Sequence, residues 1–67
     1  MQATLQAVQP YELHGVRYYQ MRYLVDGEQQ VREARVSHDM AYPDPGSGDR
    51  VDVHAILGIV DRVSRLG

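Results

Sequence analysis

The sequence predicts an all-β fold, a small five-stranded barrel, with residues 1–67 forming a single β domain. Three observations carry this prediction. Val16–Val25 combines three tyrosines with β-branched and aliphatic residues, which suits a half-buried pleated surface. Asp26-Gly27 follows directly and is a strong hairpin signal. Arg50–Ala55 alternates polar and apolar residues as a strand does.

The first segment, Ala3–Leu13, alternates weakly in polarity and predicts a strand. Pro10 interrupts it, because proline lacks the N–H that a central strand needs, so we expect an edge position or a bulge there. His14-Gly15 is then a turn signal leading into the second strand.

The second and third strands, Val16–Val25 and Glu28–Ser37, are predicted to form a hairpin. If the turn between them has two residues, Tyr19 lies opposite Ala34. A slip of one residue would reverse the two faces of the hairpin. The face that we expect to enter the core comprises Tyr19, Met21, Tyr23, Val25, Ala34 and Val36.

The segments after the hairpin are less uniform. Ser37–Tyr42 predicts one helical turn with Ser37 as N-cap, and Pro43–Asp49 is a loop rich in proline, glycine and serine. Residues 54–66 fit two interpretations. Apolar residues recur at helical spacing, but β-branched side chains and Gly58 disfavour a helix. We therefore expect two strands, or one kinked at Gly58, with an α+β fold ending in a C-terminal helix as the alternative.

Two short stretches carry a resemblance. Residues 48–53 (GDRVDV) and 57–60 (LGIV) resemble the closing strands of OB-folds and SH3-like barrels, which show a glycine-aspartate turn, an alternating valine strand and a glycine kink. The order of three strands, a helical turn and a strand pair also looks OB-like. The resemblance implies a barrel but no particular function, because such barrels serve many.

Composition excludes several classes of protein. There is no cysteine, so disulfides and thiolate metal sites are absent, which fits a reducing cytoplasm. Seven arginines, no lysine and nine acids give a net charge of −2, without the basic excess of many nucleic-acid-binding domains. No apolar run approaches the roughly 18 residues that span a membrane, and the N-terminal residues do not form a signal peptide. We expect a cytoplasmic protein with no membrane partner.

Catalytic and cofactor signatures are weak. His14, His38 and His54 are dispersed, without the spacing of a metal site. Ser37 and His38 are neighbours, and neighbours on a strand point to opposite faces, so they do not form a nucleophile and base. The acids between residues 44 and 52 do not follow the EF-hand pattern. We expect no enzyme activity, no metal and no cofactor.

The outer face of the predicted hairpin is the candidate binding surface. In the predicted register Arg22 faces Val31 and Tyr18 faces Arg35. Tyrosine and arginine are enriched in protein interfaces, and an exposed tyrosine between arginines also suits stacking of single-stranded bases. The candidate residues are Tyr18, Gln20, Arg22, Arg35 and Val31.

Size argues for association. A domain of this length has a marginal core, and it has neither disulfide nor metal to support it. We expect a non-catalytic module for protein interaction or self-association, most simply a symmetric homodimer, with another protein as a further candidate partner. A second apolar strip is available for this, at Ile56, Ile59, Val60 and Val63. Single-stranded nucleic-acid binding by an OB-like domain is the alternative.

Overall fold

A computed structural model describes all residues from Met1 to Gly67. It contains five strands and a single turn of 3-10 helix at His38–Met40. The strands are β1 (Gln2–Leu13), β2 (Val16–Val25), β3 (Arg32–Ser37), β4 (Arg50–Ile56) and β5 (Ile59–Arg65). The all-β prediction is confirmed. The alternative with a C-terminal helix is wrong, because residues 50–65 form two strands.

All strand pairs are antiparallel and belong to one sheet, in the order β3-β2-β1-β4-β5. β1 is central, but it pairs with β4 only through Gln2–Thr4. The rest of β1 pairs with β2 alone, so these two strands continue as an arm. The sheet is not closed: β3 and β5 approach each other without a ladder of hydrogen bonds.

The core lies on one side of this curved sheet and is made entirely of apolar side chains and one tyrosine. No buried side-chain polar atom lacks a hydrogen-bond partner. Met21, Tyr23, Val25 and Val36 are buried as predicted, while Tyr19 and Ala34 are half-buried against the same cluster. The buried residues are Ala3, Leu5, Met21, Tyr23, Val25, Val36, Val51, Val53 and Val63.

Two bulges set which side chains reach the core. In β1 the pairing shifts between Leu5 and Ala7, so Gln6 is an extra residue. In β5 the pairing shifts around Asp61 in the same way. A bulge adds one residue to the strand, so two successive core-facing residues, normally two positions apart, are three positions apart across the bulge. Val60 and Val63 therefore both pack against the core although they are three apart.

The β1–β2 and β4–β5 hairpins each close through a two-residue turn whose twist matches that of the paired strands. His14 and Gly15 both have positive φ, +52° and +78°, and Leu57 and Gly58 have +52° and +79°. Positive φ at both central residues defines the type I′ turn. β1 runs through Pro10, which pairs with Tyr19 where no strand lies on the other side of β1. The predicted edge position of Pro10 is thus observed.

The register of the β2–β3 hairpin differs from the prediction by two residues. Tyr19 pairs with Val36, not with Ala34. Asp26 and Gly27 do form a turn, closed by the Glu28 N–H donating to the Val25 carbonyl at 3.0 Å. Gly27 has a φ of +86° but Asp26 does not have a positive φ, so the turn lacks the twist of a two-residue hairpin. The strands separate, residues 28–31 form a loop, and β3 begins at Arg32.

The predicted helical turn after β3 is present as the 3-10 helix, with Ser37 as N-cap but without a side-chain capping bond. The following loop is fixed by Asp49, whose Oδ2 accepts hydrogen bonds from the Tyr42 hydroxyl at 2.6 Å and the Gly46 N–H at 3.0 Å. The Leu5 N–H donates to the Asp49 carbonyl, which fastens the loop to β1.

Candidate functional site: the outer face and the hairpin tips

The outer face of β2 carries three of the predicted site residues. Tyr18, Gln20 and Arg22 alternate along it, facing away from the core residues Met21 and Tyr23. Arg35 on β3 pairs directly with Gln20, so it lies diagonal to Tyr18 and not opposite it as predicted. Four of the five predicted residues therefore share one face of the sheet.

Val31 does not belong to this face. The prediction that it lies opposite Arg22 is wrong, because the shifted register puts Glu33 there. Val31 is 41% exposed in the loop before β3. That loop, residues 28–32, curves around an open depression of about 510 Å³ and is held by the Arg32 Nε donating to Glu28 at 2.8 Å.

An aromatic row crosses three strands at the centre of the outer face. The rings of Tyr11 on β1 and Tyr18 on β2 are stacked, with centroids 5.6 Å apart and planes at 22°. The Arg35 guanidinium lies 5.5 Å from the Tyr18 ring centroid. β2 lies between β1 and β3, so Tyr18 has Tyr11 on one side and Arg35 on the other. Tyr11 ends the row, because no strand pairs with β1 on its other side at this point.

Tyr11 was missed by the sequence reasoning, although a signal was present. The His14-Gly15 turn fixes the β1–β2 register, and counting outward from it puts Tyr11 opposite Tyr18. The same face carries Leu13 and Val16, which flank the turn and are 44% and 42% exposed. The arm therefore presents an aromatic and aliphatic surface on its outer side.

Surface charges around this face are largely paired. Arg22 lies 3.4 Å from Glu33, its partner across the strands. Arg50 bridges to Asp26 through two hydrogen bonds of 2.7 Å, and this hydrogen bonding keeps the pKa of Asp26 below its usual value. Paired charges of this kind leave little net field for attracting a charged ligand.

The tip of the β4–β5 hairpin is the most exposed apolar feature of the protein. Ile56 is 56% exposed, Leu57 is 97% exposed and Ile59 is 72% exposed. Leu57 also occupies a left-handed conformation, which costs an ordinary side chain about 1–2 kcal/mol. Of the predicted apolar strip, Ile56 and Ile59 are thus available to a partner, whereas Val63 is buried and Val60 is half-buried.

A depression lies at the opposite end of the molecule, on the inner side of the arm. It has a volume of about 260 Å³ and is formed where the arm meets the loop before β4. Its lining mixes polar and apolar groups, and Arg17 and Asp44 contribute the charges. The lining residues are Val8, Pro10, Arg17, Tyr19, Asp44 and Pro45.

The titratable groups do not gather into a cluster of metal ligands. No three of the histidine and acidic side chains come together as metal ligands. His54 instead lies with its Nδ1 2.6 Å from an Asp61 oxygen, and this hydrogen bond lowers the pKa of Asp61. Asp49 accepts a hydrogen bond from the Tyr42 hydroxyl, and Asp52 lies 3.1 Å from the N-terminal ammonium group.

Comparisons of the chain with protein-family models, with curated proteins and with solved structures gave no match. The structure has no helix of the length and apolar character needed to cross a membrane.

Proposed function

We propose that this protein is a non-catalytic interaction module that self-associates, in its simplest form as a symmetric dimer. One observation carries the proposal. The protein exposes eight large apolar side chains by 41% or more, while its core contains only nine buried residues. Contiguous exposed apolar side chains on a soluble domain indicate a surface that another molecule covers.

The arrangement of these side chains supports the proposal. Five of the eight cluster at two hairpin tips, with Ile56, Leu57 and Ile59 at the β4–β5 tip and Leu13 and Val16 beside the β1–β2 turn. The exposed apolar residues are Met1, Leu13, Val16, Val31, Met40, Ile56, Leu57 and Ile59. Full burial of an exposed large apolar side chain stabilises by about 1.5–3 kcal/mol, a gain that Leu57 approaches and that is smaller for the half-exposed residues.

The free edge of β1 favours a closed assembly over an open-ended one. Pro10 has no N–H to offer at this edge, so continuous pairing with a further strand is interrupted there. A two-fold arrangement is the commonest closed assembly, since it places the same patch on both subunits.

We further propose that the sheet closes into an OB-like barrel when β3 and β5 pair. The strand order, the proximity of β3 and β5, and the 3-10 helix between β3 and β4 support this. Amide hydrogen exchange tests it. Protection along the facing edges of β3 and β5 is expected for a barrel, and rapid exchange there contradicts closure.

Calorimetry over a range of protein concentrations tests self-association. Association that stabilises only the folded state raises the melting temperature as concentration rises. We expect such a rise, and we expect added salt to change it little, because the exposed surfaces at the tips are apolar. A melting temperature independent of concentration from micromolar to millimolar protein would argue against the proposal.

Single-stranded nucleic-acid binding is a second candidate, favoured by the row formed by Tyr11, Tyr18 and Arg35. Stacking of a base would use the free side of Tyr11, since Tyr18 is flanked on both sides. Fluorescence anisotropy with a labelled single-stranded oligonucleotide tests this. Binding that weakens with salt and is lost in Tyr11→Ala would support it, and no binding at low salt would exclude it.

A further inference from the structure

Two charged side chains at the depression between the arm and the loop before β4 have no ionic partner within the chain. Arg17 lies on the arm and Asp44 lies on the loop, and neither forms an ion pair. Glu12 lies opposite Arg17 across the two strands of the arm but does not form an ion pair with it. A free guanidinium group and a free carboxylate therefore border the same depression.

The backbone at Asp44 is strained. Asp44 has a φ of +53°, in the left-handed region that costs conformational energy for a residue with a Cβ. Pro45 follows directly, and a proline favours extended backbone at the residue before it. The positive φ values of His14 and Leu57 belong to tight hairpin turns, whereas Asp44 lies outside any hairpin. Strain in a loop of this kind is typical of positions that hold a ligand.

The loop is fastened on both sides of Asp44. The Asp49 carboxylate accepts hydrogen bonds from the Tyr42 hydroxyl at 2.6 Å and from the Gly46 N–H at 3.0 Å. The Gly48 N–H donates to a carbonyl of β1 at 2.7 Å, which ties the loop to the sheet. The facing wall is the arm, whose two strands are paired along their length. Both walls are thus in place before a ligand arrives, which lowers the entropic cost of binding.

Size and lining together define the ligand that fits. The depression has a volume of about 260 Å³. Since a cavity of about 150 Å³ holds a benzene molecule, there is room here for about ten non-hydrogen atoms. Val8, Pro10 and Pro45 supply apolar surface beside the two charges. A ligand that uses all of these features carries an anionic group for Arg17, a cationic group for Asp44 and a small apolar part. An α-amino acid of the size of leucine has this composition, because its carboxyl and amino groups are both charged at neutral pH.

We propose that the depression binds a free α-amino acid with an apolar side chain, whose carboxylate meets Arg17 and whose ammonium group meets Asp44. Arginine suits the first role, because its planar guanidinium group can donate two parallel hydrogen bonds to a carboxylate. The two charges of the site balance each other, so they favour a ligand without net charge over an ion of either sign. None of the eight exposed large apolar side chains lines the depression, so binding does not depend on self-association.

Titration of the isotope-labelled wild-type protein with L-leucine, up to tens of millimolar, measures binding through the amide chemical shifts. We expect shifts that saturate with a dissociation constant in the millimolar range or below, largest at Val8, Arg17, Tyr19, Asp44 and Gly46. Glycine should bind more weakly than leucine, because it has no side chain to cover the apolar surface. The absence of saturable shifts at these residues would overturn the proposal.

Two derivatives of leucine test the two charges separately. Leucinamide lacks the carboxylate and N-acetylleucine lacks the ammonium group, so each should bind about tenfold more weakly than leucine, as for loss of a hydrogen bond between charged groups. Arg17→Gln should bind leucine and leucinamide equally, and Asp44→Asn should bind leucine and N-acetylleucine equally. Asparagine also adopts the left-handed conformation, so Asp44→Asn should preserve the loop. The melting temperature of each variant checks that it folds.

Arg62→Gln is the matched control. Arg62 is also without an ion pair, but it lies on β5 outside the depression, so this variant should bind leucine as the wild-type protein does. An equal loss of binding in Arg62→Gln and Arg17→Gln would show an effect of net charge and overturn the assigned site. Derivatives that bind as tightly as leucine, or variants that keep the wild-type order of preference among the three ligands, would overturn the assigned contacts.

Discussion

Two tyrosines on the same strand provide a direct test of which face of β2 supports the fold. Tyr23 is 4% exposed within the core, whereas Tyr18 lies on the outer face beside Tyr11 and Arg35. Truncation of a large buried aromatic residue costs about 3–5 kcal/mol. Tyr18→Ala loses a stacked pair, about 0.5–1.5 kcal/mol, and a cation–π contact, about 0.5–1 kcal/mol. We therefore expect a loss of about 1–2.5 kcal/mol for Tyr18→Ala.

These losses have different consequences because the total stability is small. A chain of 67 residues has a free energy of unfolding of about 3–10 kcal/mol. Tyr23→Ala should be largely unfolded or have a urea midpoint lowered by several molar, since small domains lose about 1 kcal/mol per molar urea. Urea denaturation at low protein concentration measures both variants without a contribution from association. Equal losses, or a greater loss for Tyr18→Ala, would refute the face assignment.

Two further predictions concern the turn and the loop. Gly27→Ala should cost about 1–2 kcal/mol, because φ is +86° and an added Cβ meets no atom, so only strain contributes. Gly46→Ala, equally open but without a positive φ, should be neutral in urea denaturation, and equal losses would contradict the turn. The hydrogen bond from the Tyr42 hydroxyl lowers the pKa of Asp49. The pKa of Tyr42 is raised, mainly by its burial and next by its hydrogen bond to Asp49. The stability of the wild-type protein should thus fall below about pH 4 and above about pH 10, and both losses should be smaller in Tyr42→Phe. Identical profiles of melting temperature against pH for the two proteins would disprove this coupling.

The strand pattern was predictable because local signals agreed with the tertiary structure. The tyrosine-rich strand, the alternating Arg50–Ala55 segment and the turn glycines all lie where expected. The core face of the hairpin was also correct, although its register was shifted by two residues. A shift of two preserves the face of every side chain, because the period of a strand is two.

The features that could not be predicted depend on the backbone conformation of single residues. A bulge at Asp61 spaces Val60 and Val63 by three, which imitates the periodicity of a helix. The sequence Asp26-Gly27 is compatible with several turns, and only the observed φ values show that it does not form a two-residue hairpin. The strand pattern therefore left residues 54–66 ambiguous and put Val31 in the wrong place.

The candidate site was predictable in part. Tyr18, Gln20, Arg22 and Arg35 share a face because alternation along β2 determines it. Sequence reasoning missed the depression, since it forms between the arm and a loop that are distant in sequence. It also missed the exposure of Leu57, which follows from the strand turning there and not from the residue type.

Sedimentation equilibrium of the wild-type protein, from micromolar to millimolar concentration, tests the central claim most directly. Self-association predicts an average mass that rises from the 7.6 kDa of the single chain to twice that value as the dimer forms. A mass that stays at 7.6 kDa over the whole range would contradict self-association.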